Sequence, residues 1–207
     1  MDNMPLHIGC WIALFQDEGR AVTVGDYHAA GIGGSAEEVA RHFLGEHLTD
    51  LQAERLVDQK EFLYRTLAWR KLKLLRGTRR LLQQARRAEI PLALATSAGE
   101  QNVEFFLETQ GLHGCFDVML DADSVTRPKP HPDIFLQAAD KMGFPPDYCL
   151  VFEDSRPGLE AARRTGMRAV AVATMHPPEQ LRKLPHVIKV IADYAGLSLR
   201  ELFEELS

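Results

Sequence analysis

From Pro91 onward, five short apolar runs alternate with amphipathic helices, and this rhythm limits the fold more than any other feature of the chain. The runs are "PLALAT" (91–96), "FDVML" (116–120), "CLVFED" (149–154), "RAVAVA" (168–173) and "VIKVIA" (187–192). Between them lie helical segments such as "EQNVEFFLETQ" before Gly111, "PDIFLQAADKM" before Gly143 and "PGLEAARRT" before Gly166. A glycine just past the last helical residue supplies the left-handed conformation that ends a helix. Strands apolar along their whole length are buried on both faces, and helical crossovers join parallel neighbours. The pattern therefore predicts an α/β core with a parallel sheet covered on both sides. In such sheets ligands gather beyond the carboxyl ends of the strands.

The first 88 residues follow another rule and read as helical, with no β-branched runs. Met4, Leu6, Ile8, Trp11, Ile12, Leu14 and Phe15 have the spacing of one buried helix side. Ser35 and Glu38 form a capping box, and Thr49 can cap a long helix. In that helix Leu56, Lys60, Leu63 and Leu67 are expected on one face, with Glu61 and Arg65 paired outside. "GIGG" (31–34) breaks the helices, and "LLRGT" (74–78) marks an exit with Thr78 as the expected N-cap. Two domains are expected: a small helical bundle over 3–75 and the α/β core over 76–207.

Composition removes several functions. A net charge of −5 argues against a nucleic-acid or membrane-surface role, since both need a basic face. Arg76, Arg79, Arg80, Arg86 and Arg87 form the one basic cluster. Leu81, Leu82, Ala85 and Ala88 interleave with it, so it reads as a solvated helix face rather than an RNA patch. Cys10, Cys115 and Cys149 are scattered, with no paired spacing, and are expected to be reduced thiols. "IGCWIALF" is too short to span a membrane and lacks the basic flank of a signal peptide. A cytoplasmic monomer is expected.

Three strand ends carry chemistry. "PLALAT" runs into Thr96 and Ser97, hydroxyls before a helix start where free N–H groups favour an anion, although either could simply cap the helix. In "TRPKPHPDIF", Pro128, Pro130 and Pro132 stiffen the loop that carries Lys129. In "CLVFEDSRPG", Glu153 and Asp154 end an apolar strand, where mutual repulsion and lost hydration would be relieved by a divalent cation. Together a hydroxyl pair, a rigid lysine and a carboxylate pair describe a phosphate-and-magnesium site.

"LALATS", "RPKPHPDIF" and "CLVFEDSRPGLEAARRTGM" resemble, in order and spacing, motifs two, three and four of the haloacid dehalogenase superfamily, in its β-phosphoglucomutase-like phosphatase branch. "DNMPLHIGCW" resembles the start of that branch's helical cap, with His7 and Trp11 on its usual His and Trp. The resemblance implies a Rossmann-like core with an inserted cap, and hydrolysis of small phosphorylated metabolites with Mg²⁺. It implies that Thr96 hydrogen-bonds the transferring phosphoryl group and that Lys129 neutralises charge there. Asp154 would bind Mg²⁺ directly and Glu153 through water, while Ser97 and His7 would contact substrate.

One motif is missing. Motif one of the family, Asp-x-Asp-Gly-Thr on the first, central strand, provides the nucleophile that forms an aspartyl-phosphate and the acid–base that follows it. It does not occur in these 207 residues. Asp2 falls on a later Asp of the pattern, so residues 1–2 resemble a remnant of the core segment before the cap. The resemblance implies that the first central strand, between "PLALAT" and "CLVFED", is absent from this chain. The expectations are a truncated start, and no turnover by the chain as it stands. The alternatives are a phosphomutase, for which Gly34 and Ala98–Glu100 lack the needed cation, and a non-catalytic binding or regulatory protein. A dehalogenase fits less well, because Glu153–Asp154 suggests a metal that dehalogenases do not use.

Overall fold

The computed structural model describes residues 3–30 and 35–206, in two compact units that divide between Leu72 and Lys73. Asp2, Gly33 and Gly34, and with them the expected break at 31–34, lie outside the described residues.

The helical unit consists of α1 (Met4–Asp17), α2 (Val24–Ala30), α3 (Ala36–Leu44) and α4 (Asp50–Ala68). Both predicted caps are present. Ser35 Oγ accepts from Glu38 N at 3.3 Å while Glu38 Oε2 accepts from Ser35 N at 3.0 Å, and Thr49 makes the same reciprocal pair with Gln52. Trp11, Leu14, Phe15, Val39, Ala40 and Leu56 form the interior. The buried stripe of α4 differs from the expected one: Ala53, Leu56, Lys60, Tyr64 and Ala68 face inward. Leu63 and Leu67 each precede a member of that stripe by one residue, a rotation of about 100° on a helix. That turn leaves Leu67 41% exposed.

The second unit is the predicted α/β core, with its elements in the order α5 (Thr78–Arg87), β1 (Ala93–Ala95), α6 (Glu100–Gln110), β2 (Val118–Leu120), α7 (Asp133–Met142), β3 (Leu150–Glu153), α8 (Arg156–Thr165), β4 (Arg168–Val172), α9 (Pro178–Leu181), β5 (Val187–Ile191) and α10 (Leu199–Leu206). Helices α6, α7 and α8 stop at the glycines read from the sequence. The start of α5 differs: Gly77, at φ 83°, is its N-cap, and Thr78 Oγ1 donates back to Leu75 O at 2.8 Å. A side chain at Gly77 would meet the backbone of the 194–195 turn, 2.6 Å from Ala195 N, so close approach as well as φ demands glycine.

The arginines of α5 are not merely a solvated face. Arg79 donates to Gln110 O, Arg86 to Gly114 O, and Arg80 to the carbonyls of Tyr194, Ala195 and Leu197, tying α5 to the turns around it. The three cysteines are free thiols, Cys10 buried and the others half-buried.

All strand pairs are parallel, but the strands fall into two sheets, β1–β2 and β3–β4–β5. Among the described residues no strand joins β1 to β3. Thr96 N donates to Leu120 O at 2.9 Å and Val118 N to Leu92 O at 3.3 Å, so even-numbered residues of β1 turn toward β2. By alternation, the backbone groups of Ala93 and Ala95 point to the other edge. The two sheets nevertheless share one apolar layer. Val151, Ala169, Ala171, Ile134, Phe135 and Leu159 form its centre, and Ala93, Ala95 and Val118 pack against it. Val170, Leu197 and Leu202, with Leu150 and Phe152, form a second cluster. Neighbouring residues of β3 and of β4 thus belong to different clusters, which is the two-sided burial that the continuous apolar runs predicted.

Candidate phosphoryl and metal site

The site is built at the carboxyl ends of β1 and β3, where strand geometry releases side chains from the sheet. Lys129 reaches it from the proline loop. Arg127 clamps that loop by a two-pronged pair with Asp133 at the start of α7, both contacts at 2.9 Å. Lys129 Nζ donates to Glu153 Oε2 at 2.8 Å and to Ala95 O at 3.2 Å, and lies 4.7 Å above the Phe135 ring. Only 9% and 10% of the two side chains are exposed, so water screens this ion pair little.

Glu153 Oε1 accepts from the N–H groups of Asp154, at 3.1 Å, and Ser155, at 2.9 Å. Burial pushes its carboxyl up, but the Lys129 charge and the hydrogen bonds from Lys129 and Ser155 together outweigh burial and hold it below the ordinary carboxylate value. The relief expected from a cation thus comes, for Glu153, from a lysine 24 residues away and from backbone donors.

Asp154 is different. Its Oδ2 accepts from Thr174 Oγ1 at 2.7 Å, past the end of β4. Burial raises its pKa, opposed by the Thr174 hydrogen bond, and the Glu153 charge raises it further. The Tyr194 phenol is pushed up to about 12, by burial first and then by Asp154 and Glu153. Among the described residues there is no cluster of three or more His, Cys, Asp or Glu suited to a metal. Mg²⁺ takes one or two carboxylates, keeps several waters and completes its shell with phosphate oxygens. Asp154, with one oxygen engaged by Thr174, suits such a part-hydrated ion; both oxygens of Glu153 are engaged.

Thr96 follows β1, one residue beyond the carbonyl that Lys129 touches. Its Oγ1 accepts from Ala98 N at 3.1 Å, which leaves the hydroxyl proton free to donate. Ser97 is exposed, and α6 begins at Gly99 without a side-chain cap, so neither hydroxyl is spent on capping it. Ala98–Glu100 brings no cation. The sequence reading missed Thr174 and Gly158. Thr174 lies at the carboxyl end of "RAVAVA", where the strand-end rule would have pointed; Gly158 is a glycine in a first helical turn, where alanine is favoured.

His7 belongs to the helical unit. Its ring stacks on Tyr64 (centroids 3.8 Å apart), and Nδ1 lies 2.9 Å from Nζ of the buried Lys60. Burial and the Lys60 charge, opposed by Glu61, lower its pKa from the ordinary 6.5 to about 4. Between those values the unfolded chain binds a proton that the folded one excludes. Stability from this site is therefore complete above about pH 6.5 and is lost as pH falls toward 4. Urea unfolding of wild type and His7→Gln at pH 7.5 and 4.5 should show the difference between them shrink by roughly 2–3 kcal/mol at the lower pH. A difference independent of pH would mean that His7 is not held neutral.

The sequence matches the family described as haloacid dehalogenase-like hydrolases over residues 1–172. It is 27% identical over 201 residues to the chloroplastic 5-amino-6-(5-phospho-D-ribitylamino)uracil phosphatase of Arabidopsis thaliana, covering 97% of this chain and 54% of that protein. It is 44% identical over 82 residues to the fructose-1-phosphate phosphatase YqaB of Escherichia coli, covering 40% of this chain and 44% of that one. The fold superposes on a HAD hydrolase of family IA, variant 3, from Entamoeba histolytica with a TM-score of 0.90 and 26% identity, over 99% of this chain and 93% of that chain. The matched part of this chain spans about half the length of each of these two curated relatives. The matched motifs, the parallel α/β core and the strand-end lysine and carboxylates all agree: the chain belongs to the haloacid dehalogenase-like hydrolase family.

Proposed function

We propose that the protein serves hydrolysis of small phosphate monoesters, sugar monophosphates foremost, as a cytoplasmic Mg²⁺-dependent phosphatase working through an aspartyl-phosphate. The observation that carries this reading is Lys129, an ammonium held at the ends of β1 and β3 by Glu153 and the Ala95 carbonyl. An ammonium has three N–H donors, so two are engaged and one remains for a phosphoryl oxygen. The Thr96 hydroxyl can donate to a second oxygen. Asp154, oriented by Thr174, would hold Mg²⁺, which when bound supplies charge neutralisation on the phosphoryl oxygens. On this reading none of these groups is the nucleophile: Lys129 is paired with Glu153, and Asp154 is assigned to the metal. The nucleophile would come from a strand seated between β1 and β3.

Two measurements test the reading. Mg²⁺ titrated against the wild type and Asp154→Asn should bind the variant about tenfold more weakly or worse; equal affinities remove Asp154 from the site. In a form that carries the nucleophile, sugar monophosphates should be hydrolysed without need of a second phosphate. A preference for bisphosphates of about a hundredfold would instead support the mutase reading. The division into two sheets favours a second reading, a non-catalytic phosphate-binding protein. It predicts phosphate binding by this chain with no turnover even after a nucleophile strand is supplied.

A further inference from the structure

We propose that Gly158 is a positioning residue of the phosphoryl site: the absent side chain in the first turn of α8 is the seat that keeps the Glu153 carboxylate against Lys129. The use of that seat for phosphate rests on the function proposed above; the geometry does not. Gly158 is buried, its φ lies outside the left-handed region, and alanine would suit a helix better at this place. Conformational freedom therefore does not explain the glycine. Space does. A Cβ built on Gly158 overlaps Cδ and Oε2 of Glu153 and comes within 2.5 Å of its Cγ.

Glu153 has little freedom to yield while keeping its bonds. Its backbone is fixed in β3 in register with Ala171, Oε1 is held by two backbone N–H groups, and Oε2 by Lys129. The helix cannot easily slide either, because Gly158 N is tied to the Ser155 Oγ cap at 3.0 Å. The far end of Glu153 can swing away by rotation about its own side-chain bonds. That accommodates a methyl group without unfolding the core, but it separates the carboxylate from Lys129. A substitution at Gly158 is thus read at Lys129, an effect that a purely helical role for the residue would not produce.

The test follows the acetylation of Lys129 by an amine-reactive ester, by mass spectrometry, in the full chain and its variants. Buried and paired, Lys129 should react slowly in the wild type. Gly158→Ala should raise its rate about tenfold or more, as Glu153→Ala should, with the fold retained by circular dichroism. In the Glu153→Ala background, Gly158→Ala should add nothing to the rate and should raise the melting temperature, as an ordinary helical Gly→Ala does. An unchanged Lys129 rate in Gly158→Ala, or additive effects in the double variant, would overturn the proposal. If Gly158→Ala alone fails to fold, the double variant decides: it folds if Glu153 is the obstacle, and misfolding there too rejects the seat. Failure of the wild type to bind inorganic phosphate would reject the phosphoryl reading and leave the acetylation result standing.

Discussion

An apolar strand ending in Asp-x-Asp-Gly-Thr, fused ahead of Met1, is expected to raise the melting temperature by about 10 °C and to switch on hydrolysis of an aryl phosphate with Mg²⁺. The thermal effect follows from the two sheets. The backbone groups of Ala93 and Ala95 turn away from β2, and no described strand joins β1 to β3. The Ala95 carbonyl is met by Lys129 Nζ, but among the described residues no ladder partner meets the Ala93 groups or the Ala95 N–H. Each buried polar group without a partner costs about 1–3 kcal/mol, and pairing even two of them moves the melting point of a domain this size by several degrees. The chemical effect follows from the donors. On the proposed function, Thr96, Lys129 and Asp154 position and neutralise the phosphoryl group, and none of them serves as its nucleophile. Turnover in the extended chain should exceed that of the 207-residue chain by at least about a thousandfold, the scale lost when a nucleophile is removed. Equal turnover in the two chains, with contamination excluded, would mean that another residue attacks. Restored activity without added stability would mean that some other segment already satisfies the strand edges.

Replacing Lys129 by Met should cost about 3–5 kcal/mol, because it strands the Glu153 carboxylate in a nearly dry site. Lys129→Met/Glu153→Gln should regain most of that loss, since neither position of the pair then carries a charge. The pH dependence gives a sharper reading. In the wild type Glu153 is held below its ordinary 4.5, so its contribution is complete above that value and is lost as pH falls through the depressed one. Without Lys129, burial dominates and lifts the carboxyl above its ordinary value. The folded variant then holds a proton that the unfolded chain has released, and stability is lost as pH rises. Thermal denaturation of Lys129→Met at pH 5 and pH 8 should therefore show a smaller deficit against wild type at pH 5. A deficit equal at both values would show that Glu153 finds another partner, and the pair would lose its claim to hold the site together.

Much of this protein is legible in the chain because the physics that sets it is local. Gly111, Gly143 and Gly166 end their helices, and Ser35–Glu38 and Thr49 begin theirs, through contacts within a single turn. The apolar runs become strands because a continuous run has no polar face to offer water. The same rule could mark Thr96, Glu153 and Asp154 as candidates, since topology delivers carboxyl ends to one side of a parallel sheet, and three prolines marked Lys129. What the sequence could not decide is which of them touch. Only the tertiary fold sets Glu153 on Lys129 rather than leaving it free for a cation, sets Thr174 on Asp154 across 20 residues, and puts Arg80 on carbonyls more than a hundred residues away. The α4 face went the same way: periodicity allowed two neighbouring stripes, and the one chosen, with Lys60 inside beside His7, is the one that packs on α1 and α3. Periodicity and capping act over three or four residues. Partners separated by tens of residues meet only after the chain has closed its loops, and the partner then chosen is the one that leaves the fewest buried charges and donors without an answer.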